Sequence, residues 1–156
     1  MKNNLLLLGI ILTLGACSSP EVSRKIPVSI KEAYKSSFRI GSAVNEAIVS
    51  GADTASQTIV KRQFSAITAE NVMKAGPINP QPGGYKFAPA DAFVEFGEKN
   101  DLFIVGHTLV WHNQTPSWFF QDEYGNPNAP EAQIERMRQH IETVAGRYAG
   151  RVCARS

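Results

Sequence analysis

Two short stretches of this chain concentrate side chains able to do chemistry. The first is Glu70-Asn71-Val72-Met73-Lys74, which sets a carboxylate, an amide and an ammonium close together. The second runs from Gly106 to Phe119 and holds His107, Trp111, His112, Gln114 and Trp118. Such a set suits recognition of a sugar. An indole offers a flat apolar face to a pyranose, and an imidazole donates or accepts directional hydrogen bonds. A carboxylate, an amide and an ammonium together grip vicinal hydroxyls as acceptor and donors. Residue type alone leaves other readings open. Trp111 and Trp118 also suit a core, His107 a satisfied buried histidine, Glu70-Asn71 a helix N-terminus, and Lys74 a solvated surface. A metal is not expected: His107 and His112 do not have the i, i+4 spacing of a helical pair, and no Cys or acidic cluster completes a site.

The elements that would position these residues alternate. A short helix is expected over Ile30–Ser37, then a buried strand over Phe38–Val44 that ends in polar Asn45-Glu46. Asp53 suits the cap of a helix running to Gln63. Phe64–Ala69 reads as a second strand, ending in Glu70-Asn71. The stretch from Gly76 to Gly84 is so rich in Gly and Pro that neither helix nor central strand is expected there. A helix from Asp91 to near Asn100 precedes a third strand, Leu102–His107, whose continuous apolar run suits burial on both faces. Glu131–Tyr148 has Ile134, Met137, Ile141 and Val144 at helical spacing. Strands alternating with helices imply a parallel α/β sheet, with ligands at the strand ends where the polar residues gather. No Gly-rich phosphate loop follows a strand, which argues against a nucleotide fold.

Three ordered blocks then narrow the reading. The sequence from Gly106 through His107, Thr108, Leu109, Val110, Trp111 and His112 to Gln114, Pro116 and Trp118 is similar to the third-strand signature of glycoside hydrolase family 10. Ile67-Thr68-Ala69-Glu70-Asn71-Val72-Met73-Lys74 resembles that family's second-strand block, and Gly84-Tyr85-Lys86-Phe87-Ala88-Pro89-Ala90-Asp91 resembles the stretch before its next helix. The resemblance covers about Ile30 to Arg151. It implies an incomplete (β/α)8 TIM barrel, roughly the first three βα units, from an enzyme that cuts internal β-1,4 bonds of xylan with retention. It also implies that Glu70, Asn71 and Lys74 bind the xylose two places from the cut on the non-reducing side. His107 and Trp111 would line the sugar beside the cut, with Gln114 at another binding position. The implied partner is xylan or a xylo-oligosaccharide, with no cofactor and a monomeric parent.

The family's acid/base lies in a Trp-Asp-Val-Val-Asn-Glu stretch ending the fourth strand, and its nucleophilic Glu ends the seventh. Neither stretch occurs in this chain, so no catalytic residue is assigned. A retaining glycosidase needs two carboxyl groups about 5–5.5 Å apart, and the spacing of Glu46, Glu70, Glu95, Asp101, Asp122 and Glu123 marks no such pair. The expectation is an amino-terminal xylanase fragment, inactive and poorly folded alone, since such a barrel takes about 250 residues. Cys153-Ala154-Arg155-Ser156 is expected to be a tail foreign to the family. The alternative is a lipoprotein that binds xylo-oligosaccharide without cutting it; another barrel glycosidase, such as a cellulase, explains the three blocks less well.

Composition fits an exported globular protein. The chain has 156 residues, 43% hydrophobic and 19% charged, which is too apolar for a disordered tail. Its net charge of +2 is scattered, with no basic stripe for nucleic acid. Lys2 and the apolar run Leu5–Leu14 outline a secretory signal over residues 1–16, too short to span a bilayer. Leu14-Gly15-Ala16-Cys17 resembles a bacterial lipobox, which implies lipidation of Cys17, a tether over 17–29, and a membrane-anchored position in the cell envelope. A plain signal peptide with an incidental Cys17 is the simpler alternative. If Cys17 carries lipid, Cys153 has no disulfide partner.

Overall fold

Caps and apolar runs divide the chain into alternating strands and helices. The computed structural model describes residues 29–153; the signal, Cys17, nearly all of the tether and the end of the tail lie outside them. Ser29 opens helix α1 (Ile30–Tyr34), its hydroxyl accepting from the Glu32 N–H. Strand β1 (Gly41–Val44) leads into α2 (Glu46–Ser50), a helix the sequence did not announce. Asn45 makes it, accepting the Ile48 N–H at 3.1 Å, and Gly51 ends it at φ 83°. Asp53 caps α3 (Thr54–Gln63) as expected, accepting from the Ser56 N–H at 3.0 Å.

Strand β2 (Ala66–Ala69) is followed by one turn of helix, α4 (Ala75–Ile78), which runs into the stretch expected to hold none. Pro77 is tolerated there because the first N–H groups of a helix have no acceptor within it to lose. Helix α5 (Ala88–Lys99) begins before Asp91, with Pro89 at its first turn, where proline's fixed φ suits a helix start. Strand β3 (Phe103–Val105) is shorter than its apolar run. The long helix α6 (Pro130–Arg147) closes the order.

The three strands form one parallel sheet in the order β1-β2-β3. Gly41 lies opposite Ala66 and Val44 opposite Ala69, while Ala66 faces Phe103 and Thr68 faces Val105. Because all three run the same way in near-level register, Glu70 and His107 leave the sheet at the same rim. Val44, Ile67 and Ile104 alternate onto the helical side and are buried there with Phe93 and Val94 of α5. The opposite side presents Gly41, Ala43, Thr68, Phe103 and Val105, all exposed or half-buried. In a closed barrel that side is filled from the facing strands; among the described residues the sheet is open. Beyond β3, the Cys153 N–H donates to the Ile104 carbonyl at 2.9 Å, making a single parallel bridge to Val105.

Two devices fix the helical layer. Gly97 lets α5 approach the sheet: a Cβ there would stand 2.5 Å from Ile104 Cγ1 and 3.2 Å from Ile67 Cδ1. Arg147 of α6 clasps Asp91 of α5 through two hydrogen bonds, 2.8 and 2.6 Å, and the Tyr148 hydroxyl adds a third at 3.0 Å. The Arg147 hydrogen bonds hold the Asp91 carboxyl below its ordinary range. Burial, assisted by Asp91, pushes the Tyr148 phenol up to about 12.

Two outcomes follow from this packing. In the full-length protein that carries this chain, Gly97→Ala should cost about 1–3 kcal/mol in chemical denaturation, the usual penalty for overpacking a filled interior. Asp91 has a folded pKa below its ordinary 3.8, so its contribution is complete above that value and is lost as pH falls through the folded pKa. Asp91→Asn should therefore lower the melting temperature at neutral pH, and the gap from the parent should close as the solution is acidified below about pH 4. A gap independent of pH would contradict the clasp.

Candidate functional site

Two loops leave adjacent strands at the shared rim and are laced together. On the β2 side, the Glu70 N–H donates to the Val44 carbonyl at 2.9 Å, carrying the ladder one step past the strand. The Lys74 N–H then donates to the Asn71 carbonyl at 2.9 Å, a turn that folds the Lys74 side chain back over Asn71. On the β3 side the chain passes through Gly106 and a cis His107–Thr108 peptide bond into the loop bearing Trp111. The Thr115 hydroxyl donates to the Trp111 carbonyl at 2.7 Å and closes that loop. Gln114 sits in the left-handed region at φ 54°, its N–H held by Asn113 Oδ1 at 2.8 Å.

Backbone and side chains both cross between the loops. The Gly76 N–H donates to the Gln114 carbonyl at 2.8 Å, and a Cβ on Gly76 would lie 2.8 Å from that same oxygen. Only glycine allows this approach. Lys74 Nζ donates to Gln114 Oε1 at 2.6 Å and to Asn71 Oδ1 at 3.1 Å, while Gln114 Nε2 donates to the same Asn71 oxygen at 3.2 Å. The ammonium also lies 5.1 Å from the centre of the Trp111 ring, within cation–π range. His107 stands 6.0 Å from Trp111, ring centre to ring centre, and His112 meets it edge-on at 5.4 Å.

The structure thus joins Asn71, Lys74, His107, Trp111 and Gln114 of the residues picked out in the sequence. Glu70 shares the rim beside Asn71, exposed, with no hydrogen bond to its carboxylate among the described residues. What remains unused is what a sugar needs. Lys74 has three donors and spends two, the Asn71 amide N–H groups are free within the network, and Glu70 offers two acceptor oxygens. The half-buried Trp111 ring supplies an apolar wall. Among the described residues, no three His, Cys, Asp or Glu side chains gather as a metal site would require.

Trp118 goes elsewhere. Its Nε1–H donates to the Asn79 carbonyl at 3.2 Å, Phe119 lies 4.1 Å from it between ring centres, and the Arg136 guanidinium covers it at 5.6 Å. It packs the loop against α6. The sequence reading missed Gly76, because a glycine of close approach looks no different from a turn glycine. It also gave no role to His140, which is buried beside Phe119 and whose pKa burial lowers more than the nearby Leu109 backbone raises it.

Comparison with known proteins points to one family. The profile of Glycosyl hydrolase family 10 matches residues 29–155, a span that takes in Cys153 to Arg155, set apart as a tail in the sequence. The chain is 43% identical over 133 residues to "Endo-1,4-beta-xylanase A" of Caldicellulosiruptor sp. (strain Rt8B.4), covering 81% of this chain and 19% of that protein. It is 40% identical over 133 residues to "Endo-1,4-beta-xylanase B" of Paenibacillus barcinonensis, covering 85% of this chain and 39% of that one. A GH10 endoxylanase from a sugarcane soil metagenome superposes with a TM-score of 0.74 at 46% identity, over 79% of this chain and 36% of its own. The chain therefore spans well under half the length of these relatives, and over that span its sequence and its sheet belong to glycosyl hydrolase family 10.

Proposed function

We propose that this chain is the amino-terminal part of a lipid-anchored endo-β-1,4-xylanase that cuts xylan with retention. The observation that carries the reading is the cross-loop network at the rim, in which Lys74 ties Asn71 to Gln114 beneath the Trp111 ring. The xylanase names of the relatives support xylan as the polymer. In this reading Glu70, Asn71 and Lys74 take the hydroxyls of the xylose two places from the cut. His107 and Trp111 flank the sugar at the cut, and Gln114 fixes Lys74 while adding its own contact. The acid/base and nucleophilic carboxylates come from sequence beyond Ser156, and the whole enzyme acts as a monomer without a cofactor.

The Leu14-Gly15-Ala16-Cys17 pattern supports export and lipidation at Cys17, with the protein held in the cell envelope on the periplasmic or outer side. No helix among the described residues is long and apolar enough to cross a membrane, so in this reading the anchor is the acyl chains. Several acyl chains on one residue hold a protein stably, each buried methylene contributing about 0.8 kcal/mol.

The test uses the full-length protein that carries this chain. It should hydrolyse xylan, and Lys74→Met should raise KM for short xylo-oligosaccharides about 10- to 100-fold, the scale of a lost charge-assisted hydrogen bond. Failure of the intact protein to turn over any xylan, with binding retained, would favour the non-catalytic binding protein instead. An unchanged KM in the Lys74 variant would remove the network from the substrate site. Separately, Cys17→Ser should move the protein from the membrane to the soluble fraction on cell lysis; retention in the membrane would refute the lipid anchor.

A further inference from the structure

We infer that His140 is a positioning residue for the sugar site, holding the Leu109–Trp111 segment in place from α6 through the Leu109 backbone carbonyl. The inference rests on the reading of Trp111 as a xylose contact. His140 is 1% exposed, and neither Nδ1 nor Nε2 has a hydrogen-bond partner. A buried polar group without a partner is costly, and the cost falls away only where a complementary group can reach it. The ring lies parallel to Tyr85 at 6.4 Å and nearly perpendicular to Phe119 at 5.5 Å, packed between two aromatic neighbours. Phenylalanine would meet those two contacts without leaving a polar atom unpaired. An imidazole there calls for an acceptor.

The geometry points to one. His140 lines a cavity of about 260 Å³ whose other walls include Leu109, Trp111 and Thr115, the underside of the loop that carries the indole. Burial holds the imidazole below its ordinary pKa, and the Leu109 backbone opposes that shift only in part. A neutral imidazole carries a single N–H donor, and the Leu109 carbonyl can accept it. In the free protein neither ring nitrogen is hydrogen-bonded, and hydrogen bonds at empty sites are often long until ligand tightens them. Trp111 stands two residues beyond Leu109, and Thr115 already ties the loop from its other side. Closing the His140–Leu109 bond would fix the indole against the sugar from a helix that is itself clasped to α5.

Three versions of the full-length protein decide it: the parent, His140→Phe and His140→Gln. Phenylalanine keeps the aromatic volume and removes the donor, whereas glutamine restores an N–H at similar reach. With melting temperatures comparable, His140→Phe should raise KM for xylo-oligosaccharides about fivefold, the scale of one hydrogen bond, with kcat little changed, and His140→Gln should recover most of it. Equal KM for the Phe variant and the parent, or equal loss in both variants, would overturn the positioning role. Nitrogen-15 histidine spectra of the parent with xylotriose give a readout independent of turnover. A neutral His140 with one slowly exchanging ring N–H is expected, and a rapidly exchanging ring would refute the bond. A parent that does not act on xylan would sink the xylanase reading, while the spectra would still decide the His140 contact.

Discussion

The 2.6 Å hydrogen bond from Lys74 to Gln114 joins two loops forty residues apart in the chain, and the site depends on it. Without it Lys74 would keep only its bond to Asn71, and the Gln114 amide only its 3.2 Å bond to the same oxygen. With it, one ammonium is shared by Asn71 and Gln114 and lies near the Trp111 ring. Charge-assisted hydrogen bonds are shorter and stronger than neutral ones, and here they order side chains that would otherwise lose freedom on binding. A ligand meeting such a rim pays less for ordering it. The leftover donors of Lys74 and Asn71 are therefore held in place before any hydroxyl-bearing ligand meets them.

The sheet and the helices behind it set where the two ends of that bond stand. Parallel register puts the ends of β2 and β3 at one level, so Glu70 and His107 emerge side by side. The Gly76–Gln114 backbone bond then brings the two loops into contact, with no room for a Cβ between them. Behind the sheet, Gly97 lets α5 settle onto Ile67 and Ile104, and the Arg147–Asp91 clasp holds α6 beside α5. The rim is thus set by packing on the helical side of the sheet. The sheet's other surface, with Gly41, Ala43 and Val105, takes no part in this layer.

Much of this order was legible in the residues. The alternation of strands and helices, the Asp53 cap and the two chemistry-bearing stretches all follow from local pattern, and local pattern is what a sequence states directly. Helix α2 escaped because Asn45 reads equally as a polar strand end and as a cap; only the bond to the Ile48 N–H distinguishes them. Helix α4 escaped because the Gly-Pro density argues against any helix, whereas a single turn needs few of the bonds that proline removes. The sequence grouped Lys74 and Gln114 by family pattern, but it could not show that they touch. Contacts across forty residues belong to topology.

The two tryptophans of the motif differ in how much of their bonding capacity the protein itself uses. Trp118 has its Nε1–H on the Asn79 carbonyl, a ring against Phe119 and a guanidinium over it. Its one donor is spent inside the protein, and its ring is packed by Phe119 and Arg136 although it stays half-buried. Trp111 is half-buried, its Nε1–H has no hydrogen-bond partner among the described residues, and its ring is flanked by His107, His112 and the Lys74 ammonium. Polar groups around an indole whose own donor remains open make a surface that water covers poorly and a pyranose can cover well. Glu70, with both oxygens unused at the same rim, follows the same logic. Unspent bonding capacity, held in place by neighbours that are fully satisfied, is the physical mark of this site.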